Sequence, residues 1–414
     1  MLDLLFQISQ EFIRMNTREY HRYFIRDVPL KSRLSILVGA RGIGKTTLLV
    51  QYILKAYQND PFTRKALYIQ ADHVSMATQS LYNIAEEFAL IGGEILCVDE
   101  IHKYKDWAKE TKSIYDTLPR LKMIASGSSA LEIIKASHDL SRRAIIYRLP
   151  GLSFREFSEI SSGEKLESIP LKEIFAHHQK HARAITSKMQ SHTLPIIDLF
   201  RRYLKYGYYP YYLDFTDDPD HSLFYTTLEQ SVRASLESDL PSIYPELSGT
   251  SIRKIRQLLS VIATSTPFSP DLSRLKRALD IGDERTLKSY LRYLEECGII
   301  LSLSRKEFGL KNLERPEKIF LNNPNLLYAL NPGVLPNQGN LRETFFLSLV
   351  SVKHELCAAK EGDFRIDRRF TIEVGGKSKT TSQIKGMEDA YLAIDDIEVG
   401  GGSRIPLWLF GFLY

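Results

Sequence analysis

At 414 residues the chain is longer than one ordinary hydrophobic core organises, so two to four domains are expected. Hydrophobic residues at 43% and charged residues at 25% exclude a disordered chain and indicate a globular one. A formal charge of +5 and a pI near 8.8 permit nucleic-acid contact but lack the concentrated basic signature that would demand it.

The opening stretch MLDLLFQISQEFIRMNTREYHRYF carries Asp3 at once and no small-residue cleavage site, so residues 1–30 read as a helical segment and not as a signal peptide. From Leu34 short apolar runs alternate with helical patterns. The runs are LSILV, ALYIQ, EILCVDE, LKMIASG and AIIYRL; between them lie TTLLVQYILKAY, QSLYNIAEEFAL, DWAKETKSIYDTL and SALEIIKA. This alternation predicts an α/β domain over 31–160 with a mainly parallel sheet covered by helices. Residues 161–245 read as a helical extension whose aromatic cluster, YGYYPYYLDF, is a packing seam. Over 246–333, three helical patterns (IRKIRQLLSVIAT, PDLSRLKRALDI and DERTLKSYLRYLEECGII) precede the short runs LSLS and KIFLN, an order that suggests a winged-helix module. Residues 334–414 open on the helix pattern LRETFFLSLVSVKHEL and continue with GDFRID, FTIEVGGKSK, AYLAIDDIEV and IPLWLFGFLY, which alternate like strands in a small α/β domain. Cys97, Cys297 and Cys357 stand far apart in no metal or redox spacing, which suits a reducing compartment. No apolar window approaches the roughly eighteen residues of a membrane span, so no membrane partner is expected and the expected location is cytoplasmic.

Between the LSILV run and the first helical pattern lies GARGIGKTTLL. Gly39, Gly44, Lys45 and Thr46 fit G-x-x-x-x-G-K-[ST], a loop whose backbone N–H groups face phosphate oxygens at a helix N-terminus. Gly39, Ala40, Arg41, Gly42, Ile43, Gly44, Lys45, Thr46 and Thr47 would form this phosphate-binding loop. Lys45 would reach the β- and γ-phosphates and the Thr46 hydroxyl would bind Mg²⁺. The run Ile95–Val98 then delivers Asp99 and Glu100 at a strand's C-terminal end, where ligands bind in such sheets. Asp99 would hold the metal and Glu100 would polarise the attacking water. An acid pair of this kind suits hydrolysis better than phosphoryl transfer to a small molecule, and no NKxD guanine-reading motif is present. ATP, Mg²⁺ and hydrolysis are the expectation. His102 and Trp107, just beyond, are read as loop-shaping and packing residues.

With GARGIGKTTLL, CVDEIHKYKDW, IASGSSALEI, SRRAIIYRLPGLSFREF, YLKYGYYP and FTIEVGGKSK…QIKG…IPLWLFGFLY, the chain resembles the bacterial and archaeal AAA+ ATPases that carry a C-terminal restriction-endonuclease-like extension. The resemblance spans nearly the whole chain and implies that Ser126 or Ser128 is a sensor touching the γ-phosphate or attacking water. It also implies that Arg142 or Arg143 stabilises the developing phosphate charge, in the same chain or from a neighbouring copy in a homo-oligomer.

Two features bear on DNA or RNA as a partner. Arg274, Lys276, Arg277, Arg285, Lys288 and Arg292 lie on the second and third helices of the winged-helix-like region, interspersed with Asp283, Glu284, Glu295 and Glu296. In the tail, the resemblance maps Glu343, Asp363, Glu373 and Lys377 onto a nuclease-like site in which acids hold Mg²⁺ and a lysine assists water. The pattern departs from E-x-K, because Gly375 and Gly376 separate Glu373 from Lys377 and should break the strand. Lys379, Gln383 and Lys385 are further polar groups there. An ATP-gated nuclease and a slowly hydrolysing defence or signalling switch stand as the alternatives to an ATPase that moves its appended domains.

Overall fold

The computed structural model describes residues 2–127, 140, 142–190, 194–265, 271–305 and 316–414, which divide into two compact units, Met1–Gly151 and Leu152–Tyr414. The SALEIIKA pattern and Ser128 lie outside the described residues.

The first unit is an α/β domain built on one parallel sheet. Strands β1 (Leu34–Val38), β2 (Ala66–Gln70), β3 (Ile95–Asp99), β4 (Lys122–Gly127) and β5 (Ala144–Arg148) lie in the order β2-β3-β4-β1-β5. All five residues of β1 and of β3 are buried, which is why these strands read as continuous apolar runs with no alternation. Helices α1 (Leu2–Met15), α2 (Tyr23–Asp27), α3 (Lys45–Ala56), α4 (Leu81–Leu90) and α5 (Trp107–Thr117) accompany them. Leu5 and Phe6 of α1 pack in one core with Ile36, Leu67 and Val98 of the sheet, so the opening helix is part of this unit's packing.

The second unit begins with α6 (Phe154–Ser162), fixed at its start by a capping box between Ser153 and Glu156. Then come α7 (Leu171–Gln190), α8 (Ile196–Arg202) and α9 (Ser222–Ala234). The aromatic cluster packs as expected: Tyr208 and Tyr209 are buried, and the side chain of Asn323 donates to the Tyr209 hydroxyl at 3.0 Å. Helices α10 (Gly249–Thr264), α11 (Leu272–Ala278) and α12 (Glu284–Glu296) precede an antiparallel pair, β6 (Ile300–Leu303) and β7 (Lys318–Leu321). After α13 (Pro324–Ala329) and α14 (Gln338–Val350) comes a second sheet of β8 (Leu356–Ala358), β9 (Phe364–Ile366), β10 (Phe370–Gly375), β11 (Ala390–Ile394) and β12 (Arg404–Pro406). Its order is β12-β11-β10-β9-β8, antiparallel from β8 to β10 and parallel from β10 to β12.

One element differs from its sequence pattern. IPLWLFGFLY reads as a strand, yet only its first residues extend β12, and Leu407–Phe412 wind into a 3-10 helix. Every residue of that helix is buried, so its apolar run has no polar face to set a period.

Candidate functional site

In the first unit, β1 ends at Val38 and the chain turns through the phosphate-loop residues into α3. Gly44 caps this helix at φ 90°, a conformation that glycine adopts without strain. Gly39 is required for space as well: a Cβ there would lie 2.3 Å from the Ile43 side chain and 2.5 Å from the Leu149 carbonyl. Lys45 is buried and donates to the carbonyls of Gly39 and Ala40, each at 2.9 Å. Thr46 and Thr47 are half-buried in the first turn of α3, while Arg41 is half-buried and Gly42 exposed on the loop.

Asp99 ends β3 and is 3% exposed. Its Oδ2 accepts from the Thr46 hydroxyl at 2.6 Å and from the Tyr68 hydroxyl at 2.8 Å. Its Oδ1 accepts from the Ser126 hydroxyl and from the Glu100 N–H, the latter at 3.2 Å. Ser126 belongs to β4, which lies between β1 and β3, so the strand order carries this serine to the space between the loop and the acid pair. The Glu100 N–H also points to the Ser126 hydroxyl at 3.2 Å. Glu100 is half-buried at φ 50°, and the ring of His102 lies 3.5 Å from its carboxylate. The structure therefore gathers Lys45, Thr46, Asp99, Glu100 and Ser126. Arg142 is exposed, and Arg143 forks onto Asp116 at 2.8 and 2.9 Å.

Two side chains here carried no signal in the sequence. Tyr68 sits in an apolar strand pattern and is told from a core tyrosine only by its hydroxyl partner. Arg22 is buried and donates to the carbonyls of Ile43, Pro150 and Gly151 at 2.8, 3.0 and 2.8 Å, bracing the phosphate loop from behind.

In the second unit, Glu343 of α14, Asp363 before β9 and Glu373 of β10 share one region with Lys318 of β7. The Lys318 ammonium lies 3.1 Å from Glu343 and 3.4 Å from Asp363, while Asp363 also accepts from the Val374 N–H at 2.9 Å. Burial, with Asp363 beside it, pushes the Glu343 carboxyl up to about 7. Lys377 is exposed, and the lysine that pairs with the Glu373 carboxylate is Lys379. The glycine pair permits this return: a Cβ on Gly375 would lie 2.7 Å from the Lys379 side chain. Among the described residues, no group of three or more His, Cys, Asp or Glu side chains is placed to hold a metal ion.

On α11 and α12, Arg274, Arg277, Arg285 and Arg292 are exposed. Lys288 pairs with Glu284 at 3.0 Å and Arg292 lies 3.8 Å from Glu296, so part of the basic face is neutralised along its own helix. No helix among the described residues is long and apolar enough to cross a membrane.

Comparison with known proteins agrees with the first unit's geometry. Residues 31–158 match a family described as an AAA domain, and residues 197–337 match one described as a domain of unknown function (DUF8612). An uncharacterized protein of Methanocaldococcus jannaschii is 27% identical, over 92% of this chain and 85% of its own length. Among solved structures, a Walker-type ATPase of Pyrococcus abyssi is 14% identical with a TM-score of 0.39, covering 72% of this chain and 91% of that one. The Aeropyrum pernix ORC1 protein, solved in complex with DNA, is 12% identical with a TM-score of 0.31, covering 79% of this chain and 91% of that one. The first unit carries an AAA-type P-loop domain.

Proposed function

We propose that the protein is a Mg²⁺-dependent ATPase whose nucleotide state drives a conformational change in the domains that follow the P-loop core. The observation that carries this reading is the bond from the Thr46 hydroxyl to Asp99, which sets a hydroxyl and a buried carboxylate side by side beneath the phosphate loop. That donor set fits Mg²⁺, a hard cation that takes oxygen ligands and keeps several from water and phosphate. Thr46 and Asp99 would hold the ion, and residues 39–47 would cradle the phosphates. When bound, Mg²⁺ neutralises charge on the phosphate oxygens. Lys45, which now donates to two loop carbonyls, would turn to the more strongly accepting phosphate oxygens. Glu100 would orient water and accept its proton, with Ser126 fixing the Glu100 backbone. Purified protein should bind ATP and release phosphate only with Mg²⁺, and Lys45→Ala should abolish binding. Glu100→Gln should keep ATP but turn over at least about 100-fold more slowly. Failure of the wild type to bind ATP sinks the reading; unchanged turnover in Glu100→Gln removes that residue from its role.

A second reading, an ATP-gated nucleic-acid-processing enzyme, is favoured by the gathering of Glu343, Asp363 and Glu373 with two lysines. Against it, the three acids do not form a ready metal-ligand set. Metal-dependent cutting of DNA or RNA that disappears in Glu373→Ala would raise this reading above the first.

A further inference from the structure

We propose that Tyr68 is a positioning residue for the Asp99 carboxylate, held in place by Phe12 of the opening helix. The proposal rests on the Mg²⁺-ATPase reading and adds a residue that belongs to none of its motifs.

The carboxylate of Asp99 accepts from four donors, two on each oxygen. Three of them, the Thr46 hydroxyl, the Ser126 hydroxyl and the Glu100 N–H, come from the phosphate loop's helix, β4 and the acid pair itself. The fourth is Tyr68, on the neighbouring strand β2, at 2.8 Å from Oδ2. Rotation of the carboxylate about its last bond would break bonds on both oxygens, so the donors together fix its plane. The oxygen Tyr68 holds is the one that also meets Thr46, the other proposed metal ligand.

Tyr68 is itself held at two further points. Its ring stacks on Phe12 with centroids 4.4 Å apart and planes 10° apart. Its backbone N–H donates to the Ser9 hydroxyl at 3.0 Å. Both partners belong to α1, whose Leu5 and Phe6 anchor it in the sheet's core. The helix that precedes the P-loop domain thus forms part of the scaffold of the proposed metal site.

Tyr68→Phe removes the hydroxyl and keeps the ring and its stack. The expected result is a Mg²⁺ concentration for half-maximal ATP turnover raised about 10-fold, the size of one hydrogen bond to a charged acceptor. Binding of a fluorescent ATP analogue in EDTA should stay within about twofold of wild type, because the phosphate loop is untouched. Phe12→Ala should shift the Mg²⁺ midpoint in the same direction by a smaller factor. An unchanged midpoint in Tyr68→Phe, with the wild type turning over ATP, overturns this proposal alone. Loss of metal-free nucleotide binding along with turnover would assign Tyr68 a merely structural role and overturn it too. A wild type with no Mg²⁺-dependent turnover would instead sink the ATPase reading beneath it.

Discussion

Glu100 stands at φ 50° and ψ 42°, a left-handed conformation that costs a residue with a side chain about 1–2 kcal/mol. Bonds from its N–H to Ser126 and Asp99 hold it there. A second residue held against its ordinary preference is Glu343. One lysine, Lys318, faces two carboxylates there, and burial with Asp363 nearby pushes Glu343 up to about 7. Because the folded-state value lies above the ordinary 4.5, the neutral acid stabilises the fold. That contribution is complete below about pH 4.5 and is lost as pH rises through about 7. Glu343→Gln keeps the neutral form at every pH. Its melting temperature relative to wild type should therefore rise between about pH 5 and pH 8, and a difference that stays flat between those two conditions would contradict this assignment.

At the scale of elements, the parallel sheet was legible because β1 to β4 are buried almost throughout, and the apolar runs alternate with amphipathic patterns in the sequence. The placement of residues 39–47 between a strand and a helix, and of Asp99 at a strand end, was legible for a related reason, since sequence order alone puts them there. Tyr68 and Arg22 were not, since both act through contacts with distant segments that no local pattern encodes. Lys379 stood among the further polar groups, but its pairing with Glu373 was not legible, because it depends on the glycines that let the chain fold back over Gly375. The LSFREF stretch shows the same limit. Its Arg155 is 1% exposed, pairs with Glu159 at 3.0 Å and donates to the backbone oxygens of Leu166 and Tyr414. Phe154 packs edge-on against Trp408 and Phe412. Two separate sequence motifs, LSFREF and LWLFGFLY, are thus one packed structure. Replacing one member of a buried ion pair strands the other, so Arg155→Ala should cost about 3–5 kcal/mol in chemical denaturation of the second unit. A loss under about 1 kcal/mol would mean that the pair is dispensable.

At the scale of the whole molecule, the open question in the ATPase reading is where the charge-stabilising arginine comes from. Arg143 is engaged within its own chain by Asp116, whereas Arg142 is exposed beside it. If Arg142 serves a neighbouring copy, assembly is a condition of turnover. Arg142→Ala and Glu100→Gln should then each be inactive alone. Mixed, they should recover part of the wild-type rate, because some interfaces pair an intact Arg142 from one copy with an intact Glu100 from another. Mass measurements should show a larger species with ATP than without it. A mixture no more active than its two components, with the same mass under every nucleotide, would place the arginine within one chain. An assembly that forms with ATP but whose turnover is indifferent to Arg142→Ala would instead favour the slowly hydrolysing switch, in which ATP holds the assembled state and its hydrolysis only ends it.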